Sequence, residues 1–224
     1  MEIKNIKAVY FVGIGGIGMS ALARYFKVMG YEVAGYDRTP SPLTRKMTDE
    51  EGFEITYEDE VKNIREVFQD KEHTLVVYTP AVPKENRILS FFRDNGYALH
   101  KRAEVLGFLS RSKKALCVAG THGKTTTTTM LAFLLHHSHV GCSAFLGGIS
   151  SNFGTNLLID KDSDYVVIEA DEYDRSFLHL HPEIAVITAM DADHLDIYGT
   201  REHLIEAFEE FALQTRGKLF LRKG

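Results

Sequence analysis

Leu116-Cys117-Val118-Ala119-Gly120-Thr121-His122-Gly123-Lys124-Thr125 decides the fold. Small and apolar residues suited to a buried strand run straight into a turn with two glycines, a lysine and a threonine. Thr126-Thr127-Thr128-Thr129-Met130 then opens a helix. A strand that breaks into a glycine turn and resumes as a helix gathers backbone amides around phosphate. Gly-Lys-Thr alone is a weak signal, but the flanking strand and helix make it a strong one. The eight-residue spacing of a full phosphate loop would place glycine at 118, where this chain has Val118, so the match is to a shorter variant. The pattern predicts an ATP loop built from Gly120, Thr121, His122, Gly123, Lys124, Thr125 and Thr126. Lys124 would neutralise the transferred phosphoryl group and the Thr125 hydroxyl would bind magnesium. Thr127 to Thr129 read as a poor but tolerated helix start.

A second glycine turn stands upstream. Gly13-Ile14-Gly15-Gly16-Ile17-Gly18-Met19-Ser20 follows the strand Ala8 to Val12, and Asp37 ends the next strand about twenty residues later. By itself this is the signature of a dinucleotide site, with Asp37 accepting from a ribose hydroxyl. Any nucleotide diphosphate offers the same charge to the helix end, so a UDP-sugar fits as well as NAD. A nicotinamide-dependent oxidoreductase and a non-catalytic nucleotide-sugar-binding module therefore stand beside the enzymatic reading.

Around these turns, short β-branched runs alternate with helix-period segments, which predicts an α/β protein with parallel sheets. Strands are expected at Ala8 to Val12, Glu32 to Tyr36, Leu75 to Tyr78, Leu116 to Ala119, Tyr165 to Glu169, Ile184 to Thr188 and Lys218 to Arg222. The clearest helix runs from Arg201 to about Thr215, with Leu204, Phe208, Phe211 and Ala212 on its buried stripe. Two nucleotide turns imply two domains, 1–110 and 111–224, divided near the polar stretch Ser110 to Lys114. The last strand stops where such a domain normally continues into a helix, so a chain cut short of a further domain is expected.

Acids gather at strand ends. Asp164-Tyr165-Val166-Val167-Ile168-Glu169 puts Glu169 where an α/β sheet presents a magnesium ligand beside a phosphate loop. Ala170-Asp171-Glu172-Tyr173-Asp174 follows, and of these acids Glu172 is read as solvated loop more readily than Glu169 or Asp174. After Ile184 to Thr188 comes Asp191-Ala192-Asp193-His194-Leu195-Asp196, which makes His194 the second metal candidate. His136, His137, His139, His179 and His181 have no site context and read as surface or packing residues.

Composition narrows the partners. With 44% apolar residues in 224, the chain can bury one large core or two modest ones. A formal charge of -5 argues against a broad nucleic-acid surface, which clustered Lys and Arg would dominate. No run nears the ~20 apolar residues of a membrane span, and Met1 to Val12 is unlike a leader peptide. Cys117 and Cys142 lack metal-ligand spacing, so a reduced, cytoplasmic location is expected.

These motifs in this order resemble the Mur ligase family, over the whole chain. The carriers are Val12 to Ser20, Tyr78-Thr79-Pro80-Ala81-Val82, Lys101-Arg102-Ala103-Glu104, Gly120 to Thr128, Glu169 to Asp174, Ser176-Phe177, and Asp193-His194-Leu195-Asp196-Ile197-Tyr198-Gly199. The resemblance implies a Rossmann-like UDP-sugar domain, an incomplete P-loop-type ATP domain, and a C-terminal domain absent from these residues. It also implies ATP- and magnesium-dependent ligation of L-alanine to UDP-N-acetylmuramate through an acyl phosphate, in peptidoglycan precursor synthesis. These 224 residues alone would be inactive. Gly15, Gly16 and Gly18 would hold the UDP diphosphate, and Asp37 and Thr79 would approach the ribose or uracil. His122, Gly147, Gly148 and Asp174 would face the muramyl group. Lys124, Glu169 and His194 would be catalytic, with Thr125 and Glu169 on one magnesium and His194 on a second. Ala189 stands where family members often carry asparagine, and Glu209 where several carry a lysine modified to a carbamate.

Overall fold

The computed structural model describes residues 5–191 and 195–222, Leu195 by its backbone only. The chain forms two compact units, Met1–Val105 and Leu106–Gly224.

The first unit contains β1 (Ala8–Val12), α1 (Ile17–Val28), β2 (Glu32–Tyr36), α2 (Pro42–Asp49), β3 (Glu54–Thr56), β4 (Thr74–Tyr78), α3 (Arg87–Asp94) and β5 (Ala98–Lys101). Its strands lie in the order β3-β2-β1-β4-β5, all parallel. Every residue of β1 is buried because both faces of the sheet are covered. Tyr10 packs on one face against Phe68 and Phe92, with ring centroids 5.4 and 5.0 Å away. Phe11 points the opposite way, to Phe26 of α1 at 6.4 Å. The strand order reverses between β1 and its neighbours β2 and β4, so the loops after these three strands open around one crevice.

Helix α4 (Arg102–Ser112) carries the division between the units. Ser110, at the start of the polar stretch read as the boundary, is wholly buried. Its hydroxyl donates to the Gly107 carbonyl at 2.7 Å and accepts from the His181 amide at 3.0 Å.

The second unit continues with β6 (Lys114–Ala119), α5 (Lys124–His136), β7 (Ser143–Ser150), β8 (Thr155–Leu158), β9 (Tyr165–Glu169), β10 (Ile184–Ile187), α6 (Leu195–Tyr198), α7 (Arg201–Leu213) and β11 (Lys218–Leu221). The sheet order is β11-β10-β6-β9-β7-β8. All pairs are parallel except β7 with β8, an antiparallel edge that the sequence reading did not anticipate. α7 starts at Thr200, whose hydroxyl accepts from the His203 amide at 3.3 Å. Its buried stripe is Leu204, Ala207, Phe208 and Phe211, with Ala207 in the place expected of Ala212. Phe177 lies against Phe208 and Phe211 at 5.2 and 5.0 Å, closing that face of the core.

The strands read from the sequence are all present, with bounds agreeing to within two residues. Missed were β3 and β5, short and only partly buried, and the β7–β8 hairpin, whose first strand carries Gly147-Gly148. Among the described residues, no helix is long and apolar enough to cross a membrane.

Candidate functional site

In the first unit, the crevice at the ends of β1, β2 and β4 holds a cavity of about 590 Å³. Gly13, Gly16, Tyr36, Asp37, Arg38 and Thr79 are among its lining residues. The glycine turn is held mostly by protein acceptors. The amides of Gly13 and Ile14 donate to the Tyr36 carbonyl at 2.8 and 3.0 Å, and the Gly15 amide donates to Asp37 Oδ2 at 2.7 Å. Asp37 is thus the brace of the turn, and the amide of Gly15 faces this carboxylate. The open part is the start of α1, where the exposed Gly16 caps a helix whose first amides have no carbonyl one turn earlier. Gly13 adopts φ +90°, and a Cβ there would overlap the Thr79 methyl. At Gly18 a Cβ would lie 2.7 Å from Arg102 Nη1, so the missing side chain lets a guanidinium approach the first turn of α1. Sequence reasoning quoted Arg102 without assigning it a part, because only the fold returns the end of β5 to the start of α1.

In the second unit, β6 leads into the turn that opens α5. Gly120 has φ +131° and Gly123 φ +82°, conformations that side chains strongly disfavour. The Thr121 amide donates to the Ala189 carbonyl at 3.0 Å, and the buried Thr121 hydroxyl accepts from the Asp191 amide at 3.1 Å. Thr188 Oγ1 lies 2.5 Å from the His122 carbonyl and 3.1 Å from that of Ala119, and donates to one at a time. The loop after β10 therefore clamps the turn from outside. Thr188 was read only as a strand end, and no local pattern marks it. His122 is exposed, with Nε2 3.9 Å from Asp191 Oδ2, and Thr126 is exposed in the first turn of α5.

Lys124 Nζ donates to the Gly120 carbonyl and to Glu172 Oε1, both at 2.8 Å. Thr125 Oγ1 donates to Glu169 Oε1 at 2.9 Å, and the Gly147 amide to Glu169 Oε2 at 2.9 Å. The register Val118↔Glu169 brings this carboxylate beside the turn. A hydroxyl and a carboxylate this close, ahead of a helix N-terminus, are the hard oxygen donors that magnesium shares with nucleotide phosphates. The residues present fit that ion.

Two expectations change. Glu172, read as a solvated acid, has no exposed surface and pairs with Lys124, whereas Asp174 is exposed. The chain backs Glu172 in by taking Asp174 and Arg175 through left-handed backbone, φ +53° and +55°, so that the neighbours point outward. Tyr198 donates to the Glu172 carbonyl at 2.6 Å, and burial, followed by the Glu172 charge, pushes its phenol up to about 12. Gly147 is tied to Glu169, where a Cβ would collide with the carboxylate, while Gly148 has open space. His194 lies outside the described residues.

Known proteins resemble this chain in sequence and fold. The model described as "Mur ligase family, catalytic domain" matches residues 8–114, and the Mur ligase middle domain matches residues 118–221. A UDP-N-acetylmuramate--L-alanine ligase of Phocaeicola vulgatus is 59% identical over 226 residues, covering 100% of this chain and 49% of the relative. Its counterpart from Porphyromonas gingivalis is 55% identical, covering 98% and 48%. The chain spans about half the length of the curated relatives it matches. Among solved structures, UDP-N-acetylmuramate-alanine ligase MurC from Thermotoga maritima superposes with a TM-score of 0.80 at 32% identity, over 95% of this chain and 49% of that one. A UDP-N-acetylmuramate:L-alanyl-gamma-D-glutamyl-meso-diaminopimelate ligase from Neisseria gives 0.82 at 25%, over 97% and 71%. From residue 8 to residue 221, with one short gap, the sequence is that of two Mur ligase domains, and the chain belongs to the Mur ligase family.

Proposed function

We propose that this chain supplies the UDP-sugar and ATP sites of an enzyme that joins L-alanine to UDP-N-acetylmuramate in peptidoglycan precursor synthesis. The observation that supports the reading is two separate glycine turns in one polypeptide, each between a strand and a helix, the second with a lysine, a hydroxyl and a carboxylate at its mouth. The names of the relatives supply the substrates. The first turn holds the UDP diphosphate at Gly16 and the start of α1, with Gly18 admitting Arg102 as the counter-charge. Asp37 and Thr79 border the nucleoside cavity. The second turn takes the ATP phosphates on the amides that open α5, and Lys124 meets the β- and γ-phosphates. Thr125 and Glu169 would hold magnesium, which when bound neutralises charge on the phosphate oxygens. His122, Gly148 and Asp174 are exposed or open to the muramyl group, and the reaction belongs to the cytoplasm, where the two buried free thiols stay reduced.

The chemistry follows from charge. An oxygen of the lactyl carboxylate attacks the γ-phosphorus and ADP leaves, giving an acyl phosphate. The amine of alanine then attacks the acyl carbon, phosphate leaves, and the amide sheds a proton. An anionic carboxylate approaches a polyanion only where fixed positive charge offsets the repulsion, and Lys124 is placed to supply it.

Calorimetric titration with UDP-N-acetylmuramate and UDP-N-acetylglucosamine tests the first half. A preference for the muramate shows that its carboxylate is read; equal affinities count against the assignment. Titration with magnesium ATP tests the second half, and a chain that binds NAD in its place would return the oxidoreductase reading.

A further inference from the structure

Glu172 is buried to the last ångström against a lysine whose side chain is 15% exposed. Burying a carboxylate is unfavourable unless a cation and hydrogen bonds offset it, and an apolar residue of similar size would pack at less cost. A negative charge beside a polyphosphate also weakens anion binding, so attraction of the ligand does not explain its position. The geometry of the lysine does. An ammonium carries three N–H donors at fixed angles. The Gly120 carbonyl and Glu172 Oε1 take two of them, each at 2.8 Å, and no described residue takes the third. Two fixed acceptors set the direction of the remaining donor. Glu172 is braced for this: Tyr198 and the Arg175 amide donate to its carbonyl at 2.6 and 3.0 Å, and the Phe177 amide donates to the Asp171 carbonyl at 2.9 Å.

We infer that Glu172 is a positioning residue: with the Gly120 carbonyl it anchors Lys124 and aims the third N–H at the terminal phosphates, letting the loop tell a nucleoside triphosphate from a diphosphate. The inference rests on the ATP reading above. Glu172→Gln keeps the shape and the acceptor oxygen, whereas Glu172→Ala removes the anchor.

Two measurements on the ¹⁵N-labelled chain test it. In a cold ¹H–¹⁵N spectrum, a lysine ammonium signal survives only where hydrogen bonds slow its exchange. The Lys124 signal, assigned by its loss in Lys124→Arg, is expected in the wild type and in Glu172→Gln and absent in Glu172→Ala. Calorimetry with magnesium ATP and magnesium ADP should show the ATP preference falling about tenfold in Glu172→Ala, the size of one charge-assisted hydrogen bond. Glu172→Gln should restore most of it. An alanine variant that keeps both the signal and the preference overturns the inference, as does equal loss in the two variants, which would make Glu172 a packing residue. A wild type that shows the signal and binds no nucleotide sinks the ATP reading and with it the phosphate half of the inference. A missing wild-type signal with normal ATP binding sinks the anchoring alone.

Discussion

Both glycine turns follow a central parallel strand and open a helix, yet they are held in different ways. The turn after β1 spends its own amides on the end of β2: Gly13 and Ile14 on the Tyr36 carbonyl, Gly15 on the Asp37 carboxylate. Gly13 there has φ +90° and leaves room for Thr79, and Gly18 leaves room for Arg102. The turn after β6 is clamped from outside by the loop after β10, through Thr188, Ala189 and Asp191, and its glycines are demanded by backbone angles. Its charge is organised as well, in the Lys124–Glu172 pair and the Thr125–Glu169 contact. Under the proposed function, the turn assigned to an intact diphosphate is held mainly by shape, whereas the one assigned to phosphoryl transfer also fixes a cation.

The sharpest way to break that contrast is Gly120→Ala. The new methyl would overlap Thr188 Oγ1 and lie 2.9 Å from the Ala189 amide nitrogen, at a backbone angle alanine avoids. A loss of about 4 kcal/mol is expected in denaturant unfolding of the second unit; a loss below about 1 kcal/mol would mean that the clamp yields freely. Next comes Lys124→Ala, which takes the ammonium away from the buried Glu172 carboxylate. We expect about 3 kcal/mol of lost stability and roughly 100-fold weaker ATP binding. UDP-sugar affinity should hardly move, and loss of both affinities together would argue against two separate sites. Asp37→Ala frees the Gly15 amide in the other turn. A loss of about 2 kcal/mol, with UDP-sugar binding weakened about tenfold, follows from one charge-assisted hydrogen bond; unchanged sugar affinity would show that Asp37 does not shape the crevice. Gly16→Ala should have the smallest effect, within about 0.5 kcal/mol by thermal unfolding. Its φ is an ordinary -67° and an added methyl meets nothing nearer than 3.7 Å.

The sites were legible to different depths. Lys124 and Thr125 could be picked out directly, because a strand end, a glycine turn and a helix start lie close in sequence there, and Glu169 by its place at the end of an apolar strand. The meeting of Thr125 with Glu169 at 2.9 Å needs only the pairing of β6 with β9. Glu172 was misread because the four acids among the six residues Glu169 to Asp174 look alike as a string, and burial is decided by what packs on them. Arg102 and Thr188 were passed over for a similar reason: each works on a loop more than sixty residues away in sequence.

The amino-acid order alone determined the alternation of strand and helix and the placing of two glycine turns, since periodicity and turn residues are local properties, and the order of its motifs carried the resemblance to the family. The tertiary structure alone decided which acid is sealed against the lysine, which glycine admits a guanidinium and which carbonyls consume the first turn's amides. Those outcomes depend on contacts between segments far apart in the chain, where excluded volume and the cost of a buried unpaired charge select one arrangement.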